Sequence, residues 1–422
     1  MNPTVIEDIR CRKVLDSRGN WTVEVDIATM CGFGRCPAPS GASTGEHEVA
    51  AYPRGGIDKA LLEIEETIAP ELIGMDAEEQ EVIDRILKDI DGTEDFSNIG
   101  GNTAVAVSLA NAKAAASSYG ISLYQHLGGN FSTELPFPLG NVIGGGAHAN
   151  NATDIQEFLV IPVGAKTIKD AVMTNAQVHA TMKKVIAKKN DCTFGKGDEG
   201  AWALNVDDEK AFELLSKAAK EVSDNTGIKI RLGIDVAASE LYNKKKKEYM
   251  YSQNGKKLSA GEQIDHILDL IKRYNLYYVE DPLEENDFDG FSEITRKANS
   301  NCLICGDDLY VTNAKRIEKG IKKNAANAVI IKPNQCGTLT DTYKAVKAAN
   351  DNNITTVFSH RSGETTDDTI AHLAVAFKSP IIKTGIVGGE RVAKLNELIR
   401  IGEELTARRV KMAHLPLKAE EA

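Results

Sequence analysis

Arg231-Leu-Gly-Ile-Asp235, Tyr277-Tyr-Val-Glu280-Asp281, Cys302-Leu-Ile-Cys-Gly-Asp307-Asp308, Ala328-Val-Ile-Ile-Lys332, Thr355-Thr-Val-Phe-Ser-His360-Arg361 and Ile381-Ile-Lys383 are the stretches that decide the fold. Each is a short apolar run rich in β-branched side chains, the texture of a strand buried on both faces, and each ends in charged or polar residues. The closing residues Asp235, Glu280, Asp307, Lys332, His360 and Lys383 are spaced by 45, 27, 25, 28 and 23 residues, and most intervals match one strand followed by one helix. Alternation of that kind builds a parallel sheet covered by helices. Closed into a barrel, the sheet brings the carboxyl ends of its strands to one mouth, where active sites form from the loops that follow. Three acids and three bases then converge on one spot.

The longest interval contains an insert, Tyr242-Asn-Lys-Lys-Lys-Lys-Glu-Tyr-Met-Tyr-Ser-Gln-Asn-Gly255, whose Asn254-Gly255 pair is a hairpin signal. Its lysines, Lys244 to Lys247, read as a solvated hairpin rather than a basic docking patch, because the chain is acidic overall. Upstream of Pro136-Phe-Pro138 the texture changes. Val5 to Leu15, the turn Asp16-Ser-Arg-Gly-Asn20 and Trp21 to Ile27 predict an antiparallel hairpin. Helices are expected over 57–73 and 78–90, and the alanine-rich run from Thr103 to Ser118 predicts a helix packed tightly on a neighbour. The expected division is an α+β domain over 1–135 and an α/β barrel over 136–422, with proline breaking both periodicities between them.

With 61 acidic and 50 basic residues among 422, the net charge is −11, which repels phosphate backbones and anionic lipid. Nucleic acid and membranes are therefore not expected as partners. A hydrophobic share of 42% with 26% charged residues excludes disordered and collagen-like chains. No apolar stretch approaches the roughly 18 residues of a membrane span. Seven cysteines, an odd number scattered along the chain, and the charges Glu7, Asp8, Arg10, Arg12 and Lys13 near the start predict a reducing, cytoplasmic setting. Cys302 and Cys305 have the spacing of half a zinc site, but with no second pair they read as strand cysteines.

Asp235, Glu280 and Asp307 on adjacent strand ends would place three negative charges within a few ångströms, which is unfavourable unless a cation lies among them. Oxygen donors without Cys or His suit Mg²⁺. The alternative is salt bridging to the lysines. Beside a dication, Lys332 and Lys383 would be pushed toward neutrality, which makes a general base, or would stay charged and bind an anion; one lysine can take each role. Ser40-Gly-Ala-Ser-Thr-Gly45 after Pro37-Ala-Pro39 predicts a loop with hinges. Gly195-Lys-Gly-Asp-Glu-Gly200 reads equally as a ligand-approaching turn or a surface turn. Neither dinucleotide nor phosphate-loop fingerprints occur, so nucleotide cofactors are not indicated.

Taken together, the motifs resemble the enolase (phosphopyruvate hydratase) family over essentially the whole chain. They are Asp16-Ser-Arg-Gly-Asn20, Ser40-Gly-Ala-Ser-Thr-Gly-Glu-His47, Gln156-Glu157, Gly197-Asp-Glu-Gly200, Glu280-Asp-Pro282, Gly306-Asp-Asp308, Lys332-Pro-Asn-Gln335, Ser359-His-Arg-Ser-Gly-Glu364 and Lys383-Thr-Gly385. The resemblance implies an N-terminal α+β domain followed by a modified TIM-type (β/α)8 barrel whose first units break strict alternation. It implies a Mg²⁺-dependent, reversible loss of water from 2-phosphoglycerate to give phosphoenolpyruvate. Carried over by motif, Asp235, Glu280 and Asp307 resemble ligands of a first Mg²⁺, and Ser43 resembles the loop residue that helps hold a second one arriving with substrate. Lys332 resembles the base at C2, and Glu199 the acid at the C3 hydroxyl, with Glu157 and Gln156 beside it. His148 resembles a loop histidine that closes over substrate, Arg361 and Ser362 a phosphate clamp, Lys383 the lysine on the substrate carboxylate, and His360 its neighbour in support.

Trp21 and Gly144 stand where proline and asparagine are usual in that family, and Ile386-Val-Gly-Gly-Glu-Arg391 is one residue shorter and lacks a common arginine. Glu24 and Arg400 match a pair that crosses the family's dimer interface, which implies a homo-oligomer built on a dimer. Two rivals remain: another lyase of the same superfamily acting on a different carboxylate, and a non-catalytic relative. The Ser40 loop, Glu199 and Arg361-Ser362 oppose the first, and retention of Lys332 and all three acids opposes the second.

Overall fold

Strands β1 (Ile6–Leu15), β2 (Trp21–Thr29) and β3 (Phe33–Pro37) form the antiparallel sheet of the N-terminal region in a computed structural model that describes residues 2–42, 44–149, 152–187, 194–299, 301–408 and 410–417. The hairpin turns where predicted because Asp16 Oδ1 accepts the backbone N–H groups of Arg18 (2.9 Å) and Asn20 (2.8 Å), and Gly19 takes the left-handed conformation at φ 77°. Val23, Val25 and Ile27 of β2 are fully buried, while Arg12, on β1, pairs with Glu24 and Asp26 on the partly exposed face. Helical backbone runs continuously from Gly56 to Leu72, with one wide turn over Ile64–Ile68, and again over Gln80–Asp91.

The alanine-rich run becomes helix Gly101–Ser118, in which every residue but Lys113, Ser117 and Ser118 is buried. Small side chains allow backbones to approach on all sides, so this helix has no polar face. A Cβ at Gly34 of β3 would lie 1.9 Å from the Ala110 carbonyl oxygen, a distance no side chain can occupy.

Eight strands form the barrel: β4 (Phe137–Gly144), β5 (Glu157–Ile161), β6 (Arg231–Asp235), β7 (Tyr278–Glu280), β8 (Leu303–Gly306), β9 (Ala328–Ile331), β10 (Thr355–Ser359) and β11 (Ile381–Gly385), closed by pairing of β11 with β4. The described part of residues 145–156 carries only a short 3₁₀ turn, Gly146–His148, and no crossover helix, and β5 returns antiparallel to both β4 and β6. Helices Ile168–Ala187 and Asp208–Thr226 follow together before β6, and strict strand-helix order runs from there. This is the broken alternation that the resemblance implies. Cys302 and Cys305 are buried in and beside β8.

The insert after β6 is a small three-stranded sheet, Tyr242–Asn243, Glu248–Tyr251 and Lys256–Leu258, with Lys244 to Lys247 exposed at its first turn. The N-terminal region covers the barrel mouth. Ser40 and Gly363 exchange two backbone hydrogen bonds of 2.8 Å, and the Ser17 N–H donates to the Glu364 carbonyl at 2.7 Å. Side chains of helix Gly101–Ser118 reach across as well: Ser108 Oγ accepts the Leu339 N–H at 2.9 Å.

Gly34→Val should lower the thermal midpoint, since overpacking of this kind costs about 1–3 kcal/mol or more. Gly261→Ala, where a Cβ meets open space, should not. Equal midpoints for the two variants in a calorimetric scan would contradict the tight approach of β3 to the helix.

Candidate active site

Register places the charges. Glu157, the first residue of β5, is paired with Asp235 at the end of β6, which is paired with Glu280 at the end of β7. Residues facing each other across a ladder project to the same side, so three carboxylates stand in a row. Asp307, Lys332 and His360 each lie one residue beyond their strands, and Lys383 lies within β11. All six closing residues of the sequence runs reach the mouth.

Lys383 Nζ lies 2.9 Å from Asp235 Oδ2, 2.7 Å from Glu280 Oε2 and 3.0 Å from Glu157 Oε2. Lys332 Nζ pairs with Asp307 Oδ2, and Gln335 Nε2 donates to Asp307 Oδ1 at 2.9 Å. Burial pushes Glu280 up to about 8, and the charge on Asp235 adds to it, while Lys383 works the other way. Burial alone would lower the lysines; the carboxylates outweigh it and raise both, chiefly Asp307 for Lys332 and Asp235 for Lys383. That direction is opposite to the one expected beside a dication, because here the lysines' nearest charges are carboxylates. Asp281 braces the turn after β7 and β8 by accepting the N–H groups of Asp307 (3.0 Å) and Asp308 (2.8 Å).

The donor set fits a hard dication. It contains only carboxylate oxygens, it is buried, and Glu280 Oε1 has no hydrogen-bond partner. Ligand atoms lie mutually within 4.8 Å in three sets among the described residues: Asp281 with Asp307 and Asp308, His148 with Glu157 and Glu199, and Asp368 with His372 and Glu397. Asp235 and Glu280 meet through Lys383, and Asp307 meets Lys332.

Glu199, on the turn after Lys196, completes a second cluster. His148 Nδ1 lies 3.6 Å from Glu157 Oε1 and 3.9 Å from Glu199 Oε1, and Asn141 Nδ2 donates to Glu199 Oε2 at 2.9 Å. Burial, reinforced by the charge on Glu199, holds the Glu157 carboxyl well above the usual range. Burial works against ionisation of Glu199 too, yet His360, His148 and Arg391 around it bring it well below that range. Burial takes His360 down to about 4, so it acts at pH 7 as a neutral hydrogen-bonding group.

Arg361 is buried after β10, with Nη1 2.9 Å from Glu48 Oε2 and Nη2 3.1 Å from Glu48 Oε1. Ser362 Oγ and Gln156 Oε1 are buried without a hydrogen-bond partner. Ser43 lies outside the described residues. Gly41, Ala42, His148, Gln156, Glu157, Glu199, Asp235, Asp307, Lys332, Ser359, His360, Arg361, Ser362 and Lys383 line one cavity of about 30 Å³. The space is small and enclosed by charged side chains, with room for only a few water-sized groups.

Three residues at the site were missed from sequence: Glu48 on Arg361, Asn141 on Glu199, and Arg391, which donates to His360 and to backbone carbonyls. Asn141 had a signal, an amide in the apolar run of β4. Glu48 and Arg391 had none, since each lies in an ordinary polar stretch.

Comparison with known proteins identifies relatives over both regions of the chain. The sequence profile described as enolase, N-terminal domain, matches residues 6–127, and that described as enolase, C-terminal TIM barrel domain, matches residues 132–414. The chain is 59% identical to an enolase of Methanosphaera stadtmanae over 405 residues, covering 95% of this chain and 98% of the relative. It is 57% identical to an enolase of Methanothermobacter thermautotrophicus, covering 98% and 99%, and 53% identical to one of Archaeoglobus fulgidus, covering 97% and 100%. On the profiles matched across both regions and on relatives aligned nearly end to end, the chain belongs to the enolase family.

Proposed function

We propose that the protein is a lyase that reversibly dehydrates 2-phospho-D-glycerate to phosphoenolpyruvate, in glycolysis and gluconeogenesis. The observation that carries the reading is the convergence of Lys332, Lys383, the Asp235 and Asp307 carboxylates and the Glu157–Glu199 pair on one cavity, with Glu280 held against Lys383 just behind it. The relatives named above are all called enolase, which disfavours a superfamily lyase with another substrate.

Asp235, Glu280 and Asp307 would hold one Mg²⁺ in this reading, and Ser43 would help to hold a second one bound with substrate. Bound there, Mg²⁺ supplies Lewis acidity to the substrate carboxylate and takes up the Asp307 charge that otherwise keeps Lys332 protonated, the pairing familiar from the enolase superfamily. Lys332 accepts the C2 proton. Removing it adds a second negative charge beside a carboxylate, and the Lys383 ammonium offsets that charge. Glu199 gives a proton to the departing C3 hydroxyl, a role that requires it to take one up when substrate is bound, with Glu157, Gln156 and His148 beside it. Arg361 presents a planar fork that suits phosphate better than a lysine would, with Ser362 Oγ beside it. His360 supports Glu199.

The domain boundary is drawn after residue 135, at Pro136-Phe-Pro138, a few residues inside the region 132–414 that the C-terminal profile matches. The protein assembles as a homo-oligomer built on a dimer, with Glu24 and Arg400 across the interface. Within one subunit Arg400 pairs with Glu397 at 2.8 Å while its side chain stays 61% exposed. Among the described residues no helix is long and apolar enough to cross a membrane, and the described cysteines are all free, which supports a cytoplasmic place.

Adding 2-phosphoglycerate to the protein with Mg²⁺ should raise the ultraviolet absorbance of phosphoenolpyruvate, and chelation should abolish the rise; no rise with Mg²⁺ present would overturn the function. Light scattering at micromolar concentration should give at least a dimer mass, and a monomer mass would remove the Glu24–Arg400 interface. Glu199→Gln should slow dehydration by about 10² to 10⁴-fold while C2–H exchange with deuterated solvent continues, because only the acid is lost. Lys332→Ala should abolish both. Exchange at the wild-type rate in Lys332→Ala, followed by NMR of 2-phosphoglycerate, would transfer the base to another group.

A further inference from the structure

Arg391 is among the largest fully buried side chains of the protein, and it lies in the first turn of helix Gly389–Glu404. That position is unfavourable twice over, since burial costs a charge its hydration and a helix N-terminus repels cations. What holds it there is a set of acceptors. Nη1 donates to the Arg361 carbonyl at 2.6 Å and to His360 Nδ1 at 2.6 Å; Nη2 donates to the Ser362 carbonyl at 2.7 Å and the Asp198 carbonyl at 3.3 Å. Its Nε lies 3.2 Å from Glu390 Oε1.

A guanidinium only donates, so His360 Nδ1 must accept and carries no proton. The Gly385 N–H points at the same nitrogen from 3.4 Å. The ring proton of neutral His360 is therefore on Nε2, which lies 3.3 Å from Glu199 Oε2. Gly385 leaves room for this contact, since a Cβ there would lie 2.4 Å from the Glu199 carbonyl and 3.0 Å from Arg391 Cγ.

We propose that Arg391 is a positioning residue for the reaction: one guanidinium fixes His360 as the Nε2–H tautomer facing Glu199 and ties together the backbone of the phosphate-binding turn at Arg361–Ser362 and the acid-bearing turn at Asp198. The distance between phosphate and leaving hydroxyl is set by the substrate, and a fork clamped on both turns keeps the protein to that distance. The catalytic consequence rests on the dehydratase reading above; the tautomer does not.

The test begins with wild-type protein labelled with [15N]histidine, in long-range 1H–15N spectra without substrate, His360 being identified by its loss in His360→Asn. An imine-type Nδ1 and a pyrrole-type Nε2 are expected, and a pyrrole-type Nδ1 overturns the proposal with no Arg391 variant needed. Arg391→Met should release the ring to a mixture of tautomers; an unchanged spectrum overturns the proposal. Arg391→Lys keeps the charge but replaces the fork by a point, and should raise KM for 2-phosphoglycerate and lower kcat, each by about 10- to 100-fold. A fall in kcat at unchanged KM, as a smaller folded fraction would give, overturns the positioning role. A wild type inert toward 2-phosphoglycerate would instead overturn the proposed function, while the substrate-free spectrum still decides the tautomer.

Discussion

Like charge gathered in a dry place is the constraint on which the rest of the structure depends. Glu157, Asp235 and Glu280 stand side by side because three strands are in register, and Lys383 reaches all three. Carboxylates this close repel one another in a low-dielectric setting, and each needs a cation or a hydrogen bond to stay buried. The surroundings supply both: lysines from the later strands, an amide from Gln335, and backbone N–H groups that satisfy Asp281. Removing any one partner leaves a buried charge uncompensated, which is why so many side chains at the mouth interlock.

The reversal of β5 matters as much as the charges. In the seven other barrel strands the mouth lies at or near the carboxyl end, but β5 runs the opposite way, so its first residue is the one at the mouth. Glu157 reaches the site only through that reversal. A strictly alternating barrel would carry the same residue to the far end, away from Glu199 and Lys383, and the cluster of Glu157, Glu199 and His148 would not form. The short connection over 145–156 is thus a chemical feature as well as a topological one.

Much of this was legible in the sequence. The charged ends of the apolar runs located the site, because parallel strands of similar length end at the same level, and the hairpin, the alanine-rich helix and the insert follow local rules of turn and periodicity. Glu157 was not legible in this way, since an acid that begins a run looks like any strand boundary; only its motif beside Gln156 marked it. Glu48 and Arg391 were invisible for a different reason. Their partners, Arg361 and His360, are remote in the chain, and pairing over such separations leaves no local pattern.

The seam between the two regions has an evolutionary corollary. Glu48 grips Arg361, Ser108 receives the Leu339 amide, Asn334 reaches the Pro39 carbonyl, and Ser40 pairs with Gly363 along the backbone. The N-terminal region therefore contributes a wall of the reaction chamber. Recombination between distant homologues at this seam would put at risk chiefly the Glu48–Arg361 pair, the contact of the four made by side chains on both sides, whereas those that use backbone groups tolerate a change of residue on that side.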